Sequence, residues 1–282
     1  MQHFTPHLYQ QAAIDAIIDK PSVGLWMEMG LGKTVVTLTA IDTLIYDAAE
    51  IRRVLVVAPK KVAEATWQDE AQKWDHLQHL RISTVLGTEA QRIAALNTPA
   101  DVYIINRENC YWLVGHYGRH WPFDMVVLDE ASSFKNHAAQ RFKALKAVRP
   151  KIAKVVELTG TPAPNNLLDL WAQIYLLDQG ERLGKYITHY RQTYFWPTEY
   201  SWEAKDGAGD AIRRKISDLV LSFKAADLLE LPEKIVEDVP VVLDAKAAAA
   251  YKTMEKQCLL QVDGEAITAQ QAASLTNKLL QL

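Results

Sequence analysis

A glycine-rich loop is the first part of this chain whose residues could do chemistry. Residues 24–34 read Gly-Leu-Trp-Met-Glu-Met-Gly-Leu-Gly-Lys-Thr. Gly30 and Gly32 allow backbone N–H groups to approach phosphate oxygens, Lys33 adds a charge for the β- and γ-phosphates, and the Thr34 hydroxyl can bind Mg²⁺. This pattern predicts a loop that binds Mg-ATP. Its expected nucleotide-binding residues are Met29, Gly30, Leu31, Gly32, Lys33 and Thr34. The general pattern has one more glycine, where this sequence has Met27.

An acidic pair, Asp129 and Glu130, directly follows the apolar segment 125–128. On its own, such a pair is most often a solvated loop. Downstream of a phosphate-binding loop, the first acid typically holds Mg²⁺ through water, and its neighbour orients and deprotonates the attacking water. We therefore expect Asp129 and Glu130, with Lys33, to be the catalytic residues.

A third loop, Thr159-Gly160-Thr161, follows the apolar segment 155–158. Two hydroxyls beside a glycine can connect the γ-phosphate to whatever lies above the sheet. By itself the motif indicates little more than a turn, because clusters of Thr, Gly and Pro most often form turns.

The elements that must position these loops alternate between strand and helix through residue 177. Strands are expected at 23–27, 54–58, 82–86, 102–106, 125–128 and 155–158, and helices at 9–19, 33–46, 64–74, 90–96 and 167–177. This alternation predicts a parallel sheet with helices on both faces. Ligands of such sheets bind at the carboxyl ends of the strands, where all three loops fall.

Composition narrows the class of protein. The chain has 282 residues, of which 49% are hydrophobic, and a net charge of −3, so we expect a buried core and no global basic field. Cys110 and Cys258 match no metal spacing, which favours a reducing compartment. The N-terminus does not resemble a signal peptide, and no apolar run approaches the roughly 18 residues of a membrane span. We expect a cytoplasmic or nucleoid-associated monomer without a membrane partner.

The order of these motifs resembles that of Swi/Snf-type superfamily-two helicases. The matching segments are Tyr9-Gln10, Met29-Gly-Leu-Gly-Lys-Thr34, Val-Val-Ala-Pro at 56–59, "WQDEAQKW" at 67–74, "DEASSFKN" at 129–136, "LTGTPAPNNLLDLW" at 158–171 and "LPEK" at 231–234. The resemblance covers nearly the whole chain. It implies an α/β, RecA-like fold with a helical protrusion, ATP and Mg²⁺ as cofactors, and double-stranded DNA as a partner.

The resemblance also implies roles for residues that spacing alone does not assign. Gln10 should read the adenine, and Thr159, Gly160 and Thr161 should link the nucleotide state to a second lobe. The residues expected at the DNA phosphate backbone are Pro59, Lys60, Lys61, Asn106 and Arg107. Such contacts position a protein on DNA without reading its sequence.

Two departures from the family pattern concern the coupling of hydrolysis to movement and the presence of a second lobe. Ser132 stands where the family's acidic box has His, the residue that couples hydrolysis to movement. No Gln-Xaa-Xaa-Gly-Arg-Xaa-Xaa-Arg segment supplies the arginines of a second lobe. We therefore expect 1–180 to be the ATP-binding lobe and 181–231 a helical protrusion. The remaining residues, 232–282, are expected to form a return strand and helices leading to a second RecA-like lobe that this chain lacks.

Several alternatives stay open on the sequence alone. A DNA-independent phosphohydrolase or phosphotransferase would share the phosphate loop, and a chain without its second lobe would behave as an ATP-regulated binding module with little hydrolysis. Trp67 and Trp74 favour core packing over base stacking, as do the aromatic residues between 190 and 202. The Lys60-Lys61 pair and the basic run 213–215 are compatible with either DNA contact or simple solvation.

Overall fold

The computed structural model describes residues 2–160, 167–199 and 201–228, with the single positions Ala245, Ala248 and Lys252. By its internal contacts the chain divides into two units, Met1–Leu231 and Pro232–Leu282. The expected strand and helices of 232–282 lie outside the described residues apart from those three positions, and so does Thr161. Within the described residues, no helix is both long and apolar enough to cross a membrane.

The first unit is built on a seven-stranded sheet in which every neighbouring pair of strands is parallel. Its strands are β1 (Ser22–Met27), β2 (Val54–Ala58), β3 (Ile82–Val85), β4 (Val102–Asn106), β5 (Met125–Asp129), β6 (Lys154–Thr159) and β9 (Val220–Phe223). They lie in the order β3-β4-β2-β5-β6-β1-β9. Two further strands, β7 (Phe195–Pro197) and β8 (Trp202–Ala204), form an antiparallel hairpin outside this sheet.

Ten α-helices accompany these strands in the described residues. They are α1 (Leu8–Asp19), α2 (Lys33–Asp42), α3 (Trp67–Lys73), α4 (Glu89–Asn97), α5 (Cys110–Tyr117), α6 (Gln140–Val148), α7 (Leu170–Asp178), α8 (Ile187–Tyr194), α9 (Ala208–Ile216) and α10 (Ala225–Leu228). Single π-helical turns extend α2 through Thr43–Asp47 and lead into α3 through Val62–Thr66.

Both faces of the sheet are buried, which explains why its central strands are continuous apolar runs rather than alternating ones. Along β2, Val54 and Val56 pack into the core that holds α1, α2 and Trp67 of α3. Leu55 and Val57 pack into the opposite core, which holds residues of α5, α6 and α7. The predicted α/β sheet with helices on both faces is therefore confirmed.

For 181–231 the sequence predicts helices with an irregular aromatic stretch at about 195–210, and the structure departs from this prediction at one strand. Among the residues of this range that the structure describes, the helices are α8, α9 and the short α10, and a hairpin occupies the aromatic stretch between α8 and α9. Residues Val220–Phe223 form β9, which pairs with β1 at the edge of the main sheet. The four-residue run Val-Leu-Ser-Phe gives too little periodicity to distinguish a strand from a turn of helix.

Three other elements differ from the expectation. The helix expected to reach residue 74 ends at Lys73, because Trp74 is extended and forms a parallel bridge with Gln2. Helices α5 and α6 were not anticipated. Helix α5 is short, is rich in aromatic residues and contains a glycine, so its sequence carries a weak helical signal.

Candidate functional site

The glycine-rich loop joins β1 to α2 at the carboxyl end of the sheet. Gly30 and Gly32 both have φ of +83°, a left-handed conformation in which side chains are strained. Gly32 is the N-cap residue of α2, so the first helical N–H groups and the positive end of the helix dipole face the loop. Lys33 and Thr34 then occupy the first turn of α2. The loop has the backbone that phosphate binding requires.

Lys33 is folded back into this loop. Its Nζ donates hydrogen bonds to the carbonyl oxygens of Met27 at 2.8 Å and Glu28 at 3.1 Å. Burial lowers the pKa of Lys33, while the nearby carboxylates of Asp129 and Glu130 act in the opposite direction. The ammonium group thus lies between the loop and the acidic pair, and its two carbonyl partners are ones that phosphate oxygens can replace.

Gln10 contacts the glycine-rich loop through its side-chain amide. Its Nε2 donates to the carbonyl oxygen of Leu31 at 3.2 Å, and its Oε1 accepts from the backbone N–H of His7 at 2.9 Å. A Cβ added at Gly32 would lie only 2.6 Å from Gln10 Nε2. The side chain is buried, so its amide is held against the loop.

We expect Gly32→Ala to destabilise the protein more than Gly30→Ala does. Both substitutions place a side chain at positive φ, which costs about 1–2 kcal/mol. A Cβ at Gly30 meets nothing within 4 Å, whereas one at Gly32 must also displace Gln10 and its hydrogen bond to Leu31. That loss adds about 1 kcal/mol. Thermal unfolding of the two variants measures the difference, and equal losses of stability would contradict the close packing of Gln10.

A cavity of about 570 Å³ opens beside the loop. Its loop side is formed by Gly30, Gly32, Lys33 and Thr34, and its other side by Phe4, His7, Lys73 and Trp74 among others. Phe4 lies edge-on to Trp74, with ring centroids 5.2 Å apart. The N-terminal segment is held there by backbone hydrogen bonds from Gln2 N–H to Lys73 O at 3.0 Å and from Asp75 N–H to Gln2 O at 3.1 Å. Sequence reasoning missed Phe4, which precedes the motifs.

The acidic pair lies at the end of β5, with a previously unassigned partner. The indole N–H of Trp67 donates to Asp129 Oδ2 at 2.9 Å, and the Trp67 side chain is fully buried. The predicted packing of Trp67 in the core is confirmed, but its ring also holds a candidate catalytic carboxylate. Burial raises the pKa of Asp129 and the negative charge of Glu130 adds to that rise, whereas the Trp67 hydrogen bond and Lys33 lower the pKa.

We expect Trp67→Phe to weaken binding of Mg-ATP by about tenfold, the lower end of the range for residues that hold a metal-binding side chain in place. Phenylalanine retains the buried ring but removes the N–H that favours the charged carboxylate, so the pKa of Asp129 should rise further. The pH below which Mg²⁺-dependent binding is lost should therefore move upward. Trp112→Phe is a matched control, because its indole donates to Glu89 at 3.2 Å and the residue does not line the cavity beside the loop. Titration of both variants across pH measures this shift, and the same shift in both would contradict the role of Trp67.

Glu130 has a left-handed backbone, with φ of +56° and ψ of +60°. This conformation is uncommon for a residue other than glycine and is concentrated at functional sites. The Ser132 hydroxyl donates to Glu130 Oε1 at 2.6 Å. Ser132 thus contacts the carboxylate that follows Asp129, and the strained turn directs Glu130 away from the path of a regular strand or helix.

The third loop adjoins the first because β6 is the direct neighbour of β1, with Trp26 aligned to Thr159. Thr159 is buried at the end of β6. A Cβ added at Gly160 would lie 3.5 Å from Met29 Cγ and 3.8 Å from Lys33 Nζ. The structure therefore brings the glycine-rich loop, the acidic pair and Thr159-Gly160 together at the carboxyl ends of the parallel strands.

Glu28 connects the loop to the outer edge of the sheet. Its Oε2 accepts from the backbone N–H of Ala225 at 2.8 Å, and its own N–H donates to Phe223 O at 3.3 Å. Glu28 is therefore bonded through its backbone to the last residue of β9 and through its side chain to the segment that follows β9.

The expected DNA-backbone residues fall into two groups. Lys60 and Lys61 are exposed after β2, and Lys60 forms only a long ion pair with Glu64, at 3.8 Å. Asn106, by contrast, is buried, and its Nδ2 donates to Glu108 Oε2 at 2.8 Å. The Arg107 guanidinium donates to Glu108 Oε1 at 3.0 Å. Pro59, at the start of the first group, is half-buried.

The SNF2-related domain family matches residues 9–282, which is nearly the whole chain. Protein p41 of Acyrthosiphon pisum secondary endosymbiont phage 1 is 39% identical over 294 aligned positions, which cover 100% of this chain and 64% of that protein. An uncharacterised ATP-dependent helicase of Mycoplasma genitalium is 26% identical over 89% of this chain and 23% of its own length.

Solved structures show the same fold. The SWI2/SNF2 ATPase core of Sulfolobus solfataricus in complex with dsDNA matches all of this chain with a TM-score of 0.65 and 24% identity. The SWI2/SNF2 ATPase core domain of the same organism matches 99% of the chain with a TM-score of 0.60 and 23% identity. The chain spans 60% of the first structure and 57% of the second.

Proposed function

The chain belongs to the SNF2-related domain family, and from that premise we propose that it is the first motor lobe of an ATPase that moves along double-stranded DNA. The observation that carries the proposal is the meeting of the glycine-rich loop, the acidic pair and the Thr-Gly turn around Lys33. Two relatives support it, since one is named an ATP-dependent helicase and one structural match is a complex with dsDNA.

The residues at the carboxyl ends of these strands are suited to bind Mg-ATP. Gly30 and Gly32 have the left-handed backbone that such a loop needs, and the half-buried Lys33 has carbonyl partners that it can exchange for phosphates. Thr34 and Asp129 would hold Mg²⁺, the latter through water, and the bound ion would neutralise charge that develops on the phosphates. Gln10, beside the cavity, would read the adenine.

Glu130 would act as the base in hydrolysis. Its carboxylate would orient a water in line with the γ-phosphate and accept a proton from it. Ser132, which donates to that carboxylate, would hold its orientation and replace the usual histidine in coupling hydrolysis to movement. Thr159, Gly160 and Thr161 would pass the change at the γ-phosphate to a second RecA-like lobe that contributes arginines.

Contact with the DNA backbone would come chiefly from the exposed Lys60 and Lys61, in the loop that begins at Pro59. The burial of Asn106 argues against direct contact by its side chain. We propose instead that Asn106 anchors the turn that carries Arg107 through their shared partner Glu108. Phosphate contacts of this kind support movement because they do not depend on sequence.

In this proposal, 1–180 is the ATP-binding lobe, 181–231 the protrusion and 232–282 the route to the second lobe. Strand β9 belongs by its pairing to the sheet of the first of these, although it lies within the sequence of the second. The protein would work as a monomer in the cytoplasm or on the nucleoid.

Phosphate release with and without duplex DNA tests the function. In the presence of the second lobe, duplex should stimulate hydrolysis, and the stimulation should fall as salt rises because backbone contacts release counterions. The chain alone should bind ATP weakly and hydrolyse little. The double variant Lys60→Glu/Lys61→Glu should need more DNA for the same stimulation, while Gln68→Glu, an exposed change on α3, should not. Hydrolysis that does not respond to duplex would favour a DNA-independent phosphohydrolase.

A further inference from the structure

A second cavity, of about 260 Å³, lies among α6, α7 and α8 and shares no lining residue with the nucleotide cavity. We call it the lysine-rimmed cavity and define it by six of its lining residues. They are His137, Lys143, Lys146, Trp171, Lys185 and Tyr186. None of these residues has a part in the proposed hydrolysis.

The rim carries positive charge that nothing described nearby neutralises. Lys143 and Lys146 are three residues apart on α6 and share one face of the helix. Across the part of the chain that the structure describes, no Asp or Glu forms an ion pair with Lys143, Lys146, Lys185 or the adjacent Arg191. This local excess stands out in a chain whose net charge is −3.

The positive charge of the rim affects the pKa of His137. Burial lowers its pKa first, and the positive charges of Arg191, Lys143 and Lys146 lower it further. Lys146 Nζ lies 4.3 Å from the Tyr175 ring centroid and 5.8 Å from that of Trp171, so its nearest partners are aromatic faces and not carboxylates. Cations placed in this way are available to an incoming negative group.

The wall between these cations is apolar and fixed. Trp171 is buried, lies perpendicular to His137 at a centroid distance of 6.0 Å, and donates its indole N–H to Gly184 O at 2.9 Å. Phe142 packs against the same indole, at 6.0 Å. Tyr186 stands at the mouth with 71% of its surface exposed. An exposed aromatic beside a preformed apolar cavity is typical of protein–protein contacts.

We propose that the lysine-rimmed cavity binds an acidic peptide segment of a partner protein, with one large apolar side chain inside the cavity and flanking carboxylates on the lysines. Charge complementarity selects the acidic flanks, and the apolar wall selects the anchor. Duplex DNA fits less well, because it presents phosphates on a convex surface and has no side chain to fill the cavity.

Fluorescence anisotropy of a labelled twelve-residue peptide tests the proposal on the full chain. The peptide carries one Phe between runs of Asp and Glu, and the control peptide replaces the acids with Asn and Gln. Lys143→Glu/Lys146→Glu should weaken binding of the acidic peptide by about tenfold. The matched control Arg214→Glu/Lys215→Glu, on exposed residues of α9, should change it by less than about twofold. A peptide with Lys and Arg flanks should regain binding to the reversed cavity.

Tyr186→Ala provides a second test, because this substitution leaves the charge of the cavity unchanged. The ring is exposed, so its removal should leave the melting temperature unchanged while weakening the acidic peptide about fivefold. Equal binding of the neutral peptide, equal loss in the α9 control, or unchanged affinity in both cavity variants would overturn the proposal. Competition by duplex DNA that depends on Lys143 and Lys146 would also overturn it and would assign the cavity to nucleic acid.

Discussion

Glu130→Gln should lower the rate of ATP hydrolysis by about 100- to 10,000-fold, the range for loss of a positioned general base. Glutamine is nearly isosteric and retains an oxygen that can accept from Ser132, so the strained turn at φ of +56° should survive. What is lost is the charge that accepts a proton from water. ATP affinity should change little, because in the proposed site the glycine-rich loop, and not Glu130, binds the phosphates.

The measurement is phosphate release together with the dissociation constant of a labelled nucleotide, in the presence of duplex DNA and the second lobe. Glu203→Gln is the matched control, since Glu203 is exposed, lies in β8 and forms no ion pair with a described residue. A variant that loses ATP binding in parallel with hydrolysis would show that Glu130 acts on the fold of the loop and not on the water.

Lys33→Ala should weaken ATP binding by about 10- to 100-fold. A hydrogen bond to a charged group contributes about 1.5–3 kcal/mol, and each 1.4 kcal/mol is a factor of ten in affinity. The effect should be larger for ATP than for AMP, because the proposed partners of the ammonium are the β- and γ-phosphates, which AMP lacks. In the free protein the same ammonium bonds Met27 and Glu28, so the variant should also lose some stability.

Isothermal titration with ATP, ADP and AMP separates these effects, and Lys60→Ala controls for the loss of one surface charge. Thermal unfolding without nucleotide measures the loss of stability. Unaltered ATP binding by a folded Lys33→Ala variant would contradict the assignment of the glycine-rich loop as the phosphate site.

The sheet could be predicted well because the sequences of its central strands are compatible with only one kind of element. Runs such as 54–58 and 125–128 are apolar throughout, and only a strand covered on both faces buries them completely. The three loops could be placed at one end of the sheet because the carboxyl ends of parallel strands lie on the same side. The edge strand β9 was not predicted, because a half-buried strand of four residues depends on its neighbour β1 and not on its own pattern.

The partners of the candidate site residues were less accessible to sequence reasoning. The bond from Trp67 to Asp129 joins residues 62 positions apart, and no local spacing predicts it. The burial of Asn106 likewise depends on Glu108 and Asn109, whose side chains close around its amide. Motifs predict which residues bind phosphates, whereas packing determines which other side chains hold those residues in place.

The pairing of β9 with β1 has a consequence for how the protein is made. Gly24 aligns with Val220, so residues separated by 196 positions (220 − 24) form neighbouring strands. At roughly 5–20 residues per second, a ribosome takes about 10–40 s to cover that distance. Throughout that interval β1 lacks its outer neighbour, and Glu28 lacks the N–H of Ala225. The glycine-rich loop, although encoded near the start, is therefore among the last parts of the lobe to mature during synthesis.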